Sequence, residues 1–193
     1  ITSGDKVHSI QAILSGSLNF VFNEFNDKTT LREVVQKAMD AGFTEPDPKI
    51  DLSGVDVARK ILILARESGL KMELSDIENE SFLPQECLDT KDNESFLSSL
   101  DDHNDHFKSL FTLAASKNCR LKYVAELVDG KARVGLKEIP IGHDFYNLSG
   151  SDNIVLFYTD RYNYQPLIVK GAGAGGEVTA SGIFADIIRI SKR

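Results

Sequence analysis

The spacing of apolar side chains changes along the chain, from helical in the first half to alternating in the second. Residues 7–14, VHSIQAIL, are β-branched and partly alternating, which predicts a strand. The SGS at 15–17 then offers N-caps for a helix carrying Leu18, Val21, Phe22 and Phe25 at helical spacing. Thr30 and Glu33 have capping-box spacing ahead of Leu31, Val34, Val35, Ala38 and Met39, and Gly42 stands where a left-handed residue ends a helix. After a proline-containing loop, Val57, Ala58, Ile61, Leu62, Leu64 and Ala65 mark a third, largely buried helix, with Ser53 as its expected cap and Gly69 as its end. Residues 75–93 are acidic and irregular, and Phe96, Leu97, Leu100, Phe107, Leu110, Phe111 and Ala114 then predict one or two helices ending near Asn118. Beyond that point residues 121–128 and 132–139 flank Asp129-Gly130, a strong short-range hairpin signal. Residues 153–158 and 165–170 are two further β-rich runs, and a last helix from about 178 to 190 carries Ile183, Phe184, Ile187 and Ile188.

Helices first and strands later predict an α+β fold, a mixed β-sheet with helices packed on one face. With 193 residues, 41% of them hydrophobic, and neither internal repeat nor low-complexity linker, the chain reads as one domain able to close a core. Twenty-nine acids against 22 Lys plus Arg give a net charge of −7, which provides no basic field for phosphates and argues against nucleic acid as a partner. Cys87 and Cys119 have no CxxC spacing and no ligand-rich neighbourhood, so a reducing, cytoplasmic compartment fits and a zinc site does not. No apolar run approaches the ~20 residues that span a bilayer, and the opening ITSGDKVHSI lacks the regions of a signal peptide. That opening reads like a strand entered midway through a longer chain.

Candidate chemistry concentrates at residues 45–60, EPDPKIDLSGVDVARK, where four carboxylates and three cations gather between two helices. With Ser53 as cap, Asp56 lies in the first helical turn and Lys60 one turn further on the same face, while Glu45 and Asp51 come from the loop. The same spacing also describes an ordinary capping box and an i,i+4 ion pair, so position alone leaves a catalytic and a purely helical reading open. The GAGAGG of residues 171–176 sits between a predicted strand and helix. It is not a complete dinucleotide-binding unit, since neither a second strand nor an acid about 20 positions on follows it. Its glycines let backbone approach a ligand, or make a tight connection. His103 and His106 are three apart, but a solvated polar face explains them better than a metal.

Three segments, ILSGSLNFVFNEF at 13–25, AGFTEPDPKIDLSGVDVARKILILARESG at 41–69 and GAGAGGEVTASGIFADIIR at 171–189, together resemble the homoserine dehydrogenase family in residues, order and spacing. The resemblance covers nearly the whole chain and is greatest to the C-terminal part of bifunctional aspartokinase/homoserine dehydrogenases, on the expectation that no regulatory domain follows Arg193. It implies the substrate-binding and dimerising catalytic domain, without the nucleotide-binding Rossmann domain that family members place before it. It implies NADP or NAD as cofactor, bound mainly by that other domain, an amino-acid substrate, and a homodimer. Lys60 is then the proton donor, Glu45 and Asp56 hold the substrate, particularly its ammonium group, Asp51 supports the pocket, and Gly175 approaches the nicotinamide nucleotide. Phe43 departs from the Tyr of many relatives and loses one polar contact. The enzymatic rival, a semialdehyde dehydrogenase, needs an activated Cys, and neither cysteine has a base beside it in sequence. A regulatory amino-acid-binding module would need the carboxylates but not Lys60.

Overall fold

In the computed structural model, residues 4–192 are described; residues 1–3 and Arg193, and with them part of the reading of both ends, lie outside that range. The first strand, β1 (Val7–Ile13), is followed by α1 (Gly16–Glu24) and α2 (Leu31–Asp40), each beginning at the foreseen cap. Ser15 Oγ accepts from Leu18 N, and both halves of the Thr30–Glu33 capping box are formed. The expected loop after α2 contains a short helix, α3 (Pro48–Leu52), and α4 (Val55–Glu67) follows after two residues. Two helices, α6 (Asn93–Asp102) and α7 (Asn104–Ser116), come after a segment expected to be irregular, which in fact holds a 3₁₀ turn (Leu74–Asp76), β2 (Glu78–Glu80) and α5 (Gln85–Leu88).

The second half is β3 (Cys119–Val128), β4 (Lys131–Pro140), β5 (Asp152–Thr159), β6 (Leu167–Ala172) and a final helix, α8 (Gly176–Ser191). Asp129 and Gly130 turn β3 into β4 with φ of 51° and 74°, the paired positive values a two-residue hairpin demands. All six strands join in the order β2-β4-β3-β1-β5-β6. β2 runs parallel to β4 and every other pairing is antiparallel, so the sheet is mixed.

Period-two alternation sorts the central strands between two faces. Ile10, Ala12, Leu121, Tyr123, Ala125 and Leu127 face the main core, built with Leu18, Val35, Ile61, Phe96 and Phe107 of the helical layer. Ile13, Val124, Ile154 and Leu156 point the other way and are covered by Phe145 and Leu148 from the connection between β4 and β5. β6 and α8 bury none of their residues, and Leu167, Ile168, Val169, Ile183, Phe184 and Ile187 stand open.

Candidate active site

Where β1 ends, α1 and α4 begin, and the local chemistry of those two starts builds a polar cleft. Ser15 and Ser17 lie 3.0 Å apart through their hydroxyls, and Ser17 Oγ donates to Asp51 Oδ1 at 2.9 Å. The other oxygen of Asp51 accepts from the Glu45 backbone N–H at 2.8 Å. Asp51 therefore ties the loop bearing Glu45 to the first turn of α1, with both carboxylate oxygens already engaged.

The start of α4 differs from the expected one. Ser53 ends α3 rather than capping α4, and Gly54, at φ 74°, takes the cap position without a side-chain hydrogen bond. Its anchor comes from the sheet. Tyr123 Oη donates to Asn79 Oδ1 at 2.9 Å, and Asn79 Nδ2 donates to the Ser53 carbonyl at 3.0 Å. A Cβ at position 54 would fall 1.9 Å from Tyr123 Oη, so the close approach needs glycine on steric as well as conformational grounds. With that turn fixed, Asp56 lies in the first turn of α4 and Lys60 one turn on. Lys60 Nζ sits 2.7 Å from Asp56 Oδ2 and donates to the Leu14 carbonyl at 2.9 Å. Arg59 is exposed, pointing away.

Glu45, Asp51, Asp56, Lys60 and Gly175 all line one cavity of about 360 Å³, together with Gly16, Phe43, Ser151 and Asn153. The helical ion-pair description of Asp56 and Lys60 is thus also correct; the structure places that pair at the edge of a cleft rather than on a plain surface. Ser151, Asn153 and the two α1 serines were not foreseen as wall residues. Ser15 and Ser17 read in the sequence only as helix caps, and Ser151 and Asn153 had no signal beyond the glycine at 150 ahead of a strand. Opposite the carboxylates is the glycine turn from Gly173 to Gly175. Gly173 packs so closely on β5 that a Cβ would lie 2.1 Å from Asn153 Nδ2, whereas one at Gly175 would meet nothing within 4 Å. Asn153 also keeps a buried amide oxygen without a protein partner. An open glycine backbone beside an available acceptor fits one wall of a nicotinamide-nucleotide site.

The remaining candidates separate from this cleft. His106 Nε2 lies 3.2 Å from the Phe82 carbonyl, and His103 sits between α6 and α7, so the two histidines do not share one helical face. Among the described residues no group of His, Cys, Asp and Glu could hold a metal ion. Cys87 is buried in the main core, where burial pushes its thiol pKa up, opposite to what a nucleophile needs. A larger cavity of about 520 Å³, between Phe82, Leu110, Leu121 and Leu136, is mainly apolar, with Glu80, His106, Lys137 and Glu138 also in its lining, and it shares no residue with the cleft. No helix among the described residues is long and apolar enough to cross a membrane.

The chain is thus an α+β domain whose cleft combines paired carboxylates, a lysine and an open glycine turn. The homoserine dehydrogenase family model matches residues 1–188, and the chain belongs to that family. It is 44% identical over 193 residues to a Zea mays bifunctional aspartokinase/homoserine dehydrogenase, covering 99% of this chain and 21% of the relative. To the homoserine dehydrogenase of Paracoccidioides brasiliensis it is 39% identical, covering all of this chain and 55% of that protein. The crystal structure of a putative homoserine dehydrogenase from Archaeoglobus fulgidus superposes with a TM-score of 0.75 at 25% identity, over 97% of this chain and 52% of that one. The chain thus spans between about a fifth and just over half of these relatives.

Proposed function

We propose that this chain is the substrate-binding and dimerising catalytic domain of a homoserine dehydrogenase, interconverting aspartate 4-semialdehyde and L-homoserine with NADP or NAD. The observation that carries the reading is the single cavity in which Lys60, Asp56 and Glu45 face the Gly175 turn. The cofactor, held mainly by a nucleotide-binding domain of the whole protein, supplies and accepts hydride. The residues of this chain supply binding and proton transfer.

Lys60 is the acid. Two of its ammonium protons are directed at Asp56 and the Leu14 carbonyl, which fix the head group and leave one proton for the aldehyde oxygen as it becomes an alkoxide. In the reverse direction the same nitrogen receives the proton of the alcohol. Glu45, whose carboxylate is not consumed by the Asp51 link, and Asp56 attract the substrate's ammonium group and disfavour uncharged aldehydes. Asp51 acts by holding Glu45 and α1 in register. Phe43, its ring tilted against that of Phe20 with centroids 4.7 Å apart, closes one side with an apolar ring.

The open apolar surface of β6 and α8 supports a homodimer and a neighbouring domain as the partners that cover it. Two free cysteines suit a reducing compartment such as the cytoplasm; the maize relative is named as chloroplastic.

Turnover of aspartate semialdehyde with NADPH by the complete protein tests the assignment when Lys60→Ala is set beside Arg59→Ala. Lys60→Ala should lower kcat by ~10²-fold or more with a smaller change in substrate binding, and Arg59→Ala should cost far less. Equal kcat values for the two variants would remove Lys60 from the role. Turnover unaffected by Lys60→Ala would favour an amino-acid-binding module instead.

A further inference from the structure

A second lysine, absent from the cleft, stands behind one of its walls. Lys122 lies on β3 and is 1% exposed, among the most completely buried side chains of the molecule. Its Nζ donates to Asn19 Oδ1 at 2.9 Å, Asn23 Oδ1 at 2.6 Å and the Leu148 carbonyl at 2.7 Å, so each ammonium proton has an acceptor and none of them is a carboxylate. The two asparagines, one turn apart on α1, pass the connection on. Asn19 Nδ2 donates to the Gly150 and Asp152 carbonyls, both at 3.1 Å, and Asn23 Nδ2 donates to the Gly150 carbonyl at 3.1 Å.

Every acceptor at the far end of this network belongs to residues 148–152, the segment that leads into β5. Ser151 and Asn153 of that stretch line the cleft, and the Ser151 carbonyl lies where a Cβ on Gly16 would come within 2.8 Å. The backbone of the wall is therefore pressed against the start of α1 on one side and held by Lys122 and the two asparagines on the other. Burying an ammonium group without an acid is costly, and a hydrophobic side chain would fill the same space more cheaply if packing were all that was needed. What the lysine adds is direction, since three donors on one nitrogen hold a helix and a loop at one distance.

We propose that Lys122 is a positioning residue for the amino-acid substrate, fixing the Ser151–Asn153 wall of the cleft through Asn19 and Asn23. This rests on the functional reading above. A slackened wall loosens the contacts that the substrate makes on that side, while Lys60, held by Asp56 and the Leu14 carbonyl, keeps its place for proton transfer. The signature is accordingly a separation of kinetic constants rather than a general loss.

The experiment uses the complete protein with aspartate semialdehyde and NADPH, and compares Lys122→Met, Lys122→Arg and Asn23→Ala with wild type. Lys122→Met should raise the KM for the semialdehyde at least tenfold, with kcat and the KM for NADPH within about threefold of wild type. Lys122→Arg, which keeps charge and donors, should recover most of that rise. Asn23→Ala, at a half-buried position, should give an intermediate increase and decides the matter if Lys122→Met does not fold. A folded Lys122→Met or Asn23→Ala protein with wild-type substrate KM overturns the proposal, as does a fall in Tm and kcat with no selective effect on substrate KM. A wild-type protein that fails to turn over the semialdehyde refutes the functional reading, and the positioning role with it; an active wild type with unmoved variants refutes the positioning role alone.

Discussion

Lys60 and Lys122 meet their need for acceptors in different ways. Lys60 has a side chain 43% exposed and an acid four residues before it, so a short stretch of sequence contains its main partner. Lys122 is buried and surrounded by neutral oxygens whose owners lie 103, 99 and 26 residues away, which no local pattern reveals. Burial, reinforced by the charge of Arg120, lowers the Lys122 pKa from 10.5 to about 8. The consequence for stability has a definite sign. Below about pH 8 both folded and unfolded chains carry the proton, and the folded one bears the cost of the buried charge. Between about 8 and 10.5 the folded protein releases a proton that the unfolded chain retains, so this residue's contribution grows more favourable as pH rises. Urea denaturation from pH 7 to 10 should show wild type gaining stability relative to Lys122→Met across that window. A difference that stays constant with pH would mean that the folded-state pKa is not lowered.

At the scale of elements, the helices and strands with a sustained period were legible, and the short ones were not. α1 and α2 start at the caps that Ser15 and Thr30 advertise, and the β3–β4 turn falls on Asp129-Gly130. β2, three residues long and exposed along its length, has no apolar alternation to betray it, because its pairing with β4 is backbone work. Yet β2 delivers Asn79, the link between Tyr123 and the turn that starts α4. Ser53 does not cap α4, although its spacing to Asp56 suits a cap: its hydroxyl donates back to the Ile50 carbonyl within α3, while Asn79 from the sheet holds its own carbonyl and Gly54 takes the cap position. Of the cleft, the half built from residues 45–60 was readable because its acids cluster in sequence, and the half built from Ser151 and Asn153 was not, because only the sheet brings it there. Substitution at the α4 junction should be severe. Gly54→Ala imposes a positive φ on alanine and drives its methyl into Tyr123 Oη, and should cost about 2 kcal/mol or more in denaturant unfolding while lowering turnover in the complete protein. A stability change under about 0.5 kcal/mol would show that the Tyr123–Asn79 clamp is not needed to hold the turn.

At the scale of the whole molecule, one end of the sheet is finished and the other is open. The helical layer and the β4–β5 connection cover the central strands on both faces, but β6 and α8 bury nothing and present a run of large apolar side chains to water. Such a surface is unusual for a free monomer, and the proposed homodimer would cover it. Sedimentation of this chain at micromolar concentration should give a species near twice 21.3 kDa. A single 21 kDa species would count against dimerisation through this domain.

The position of β1 at the middle of the sheet carries a consequence for how the chain comes to be folded. Its neighbours are β3, whose Val128 pairs with Ser9, and β5, whose Phe157 pairs with Ile10. During synthesis the first strand therefore leaves the ribosome with both edges bare, and waits for more than a hundred further residues before either edge is met. The intervening helices have local contacts of their own and can form early, so they are the elements available to shelter Ile10 and Ala12 in that interval. The β3–β4 hairpin is local as well, whereas β1 can be paired only once β3 and β5 have been made. Assembly in that order makes the polar cleft, which needs β1, α1 and the entry to β5 together, among the last features of the molecule to exist.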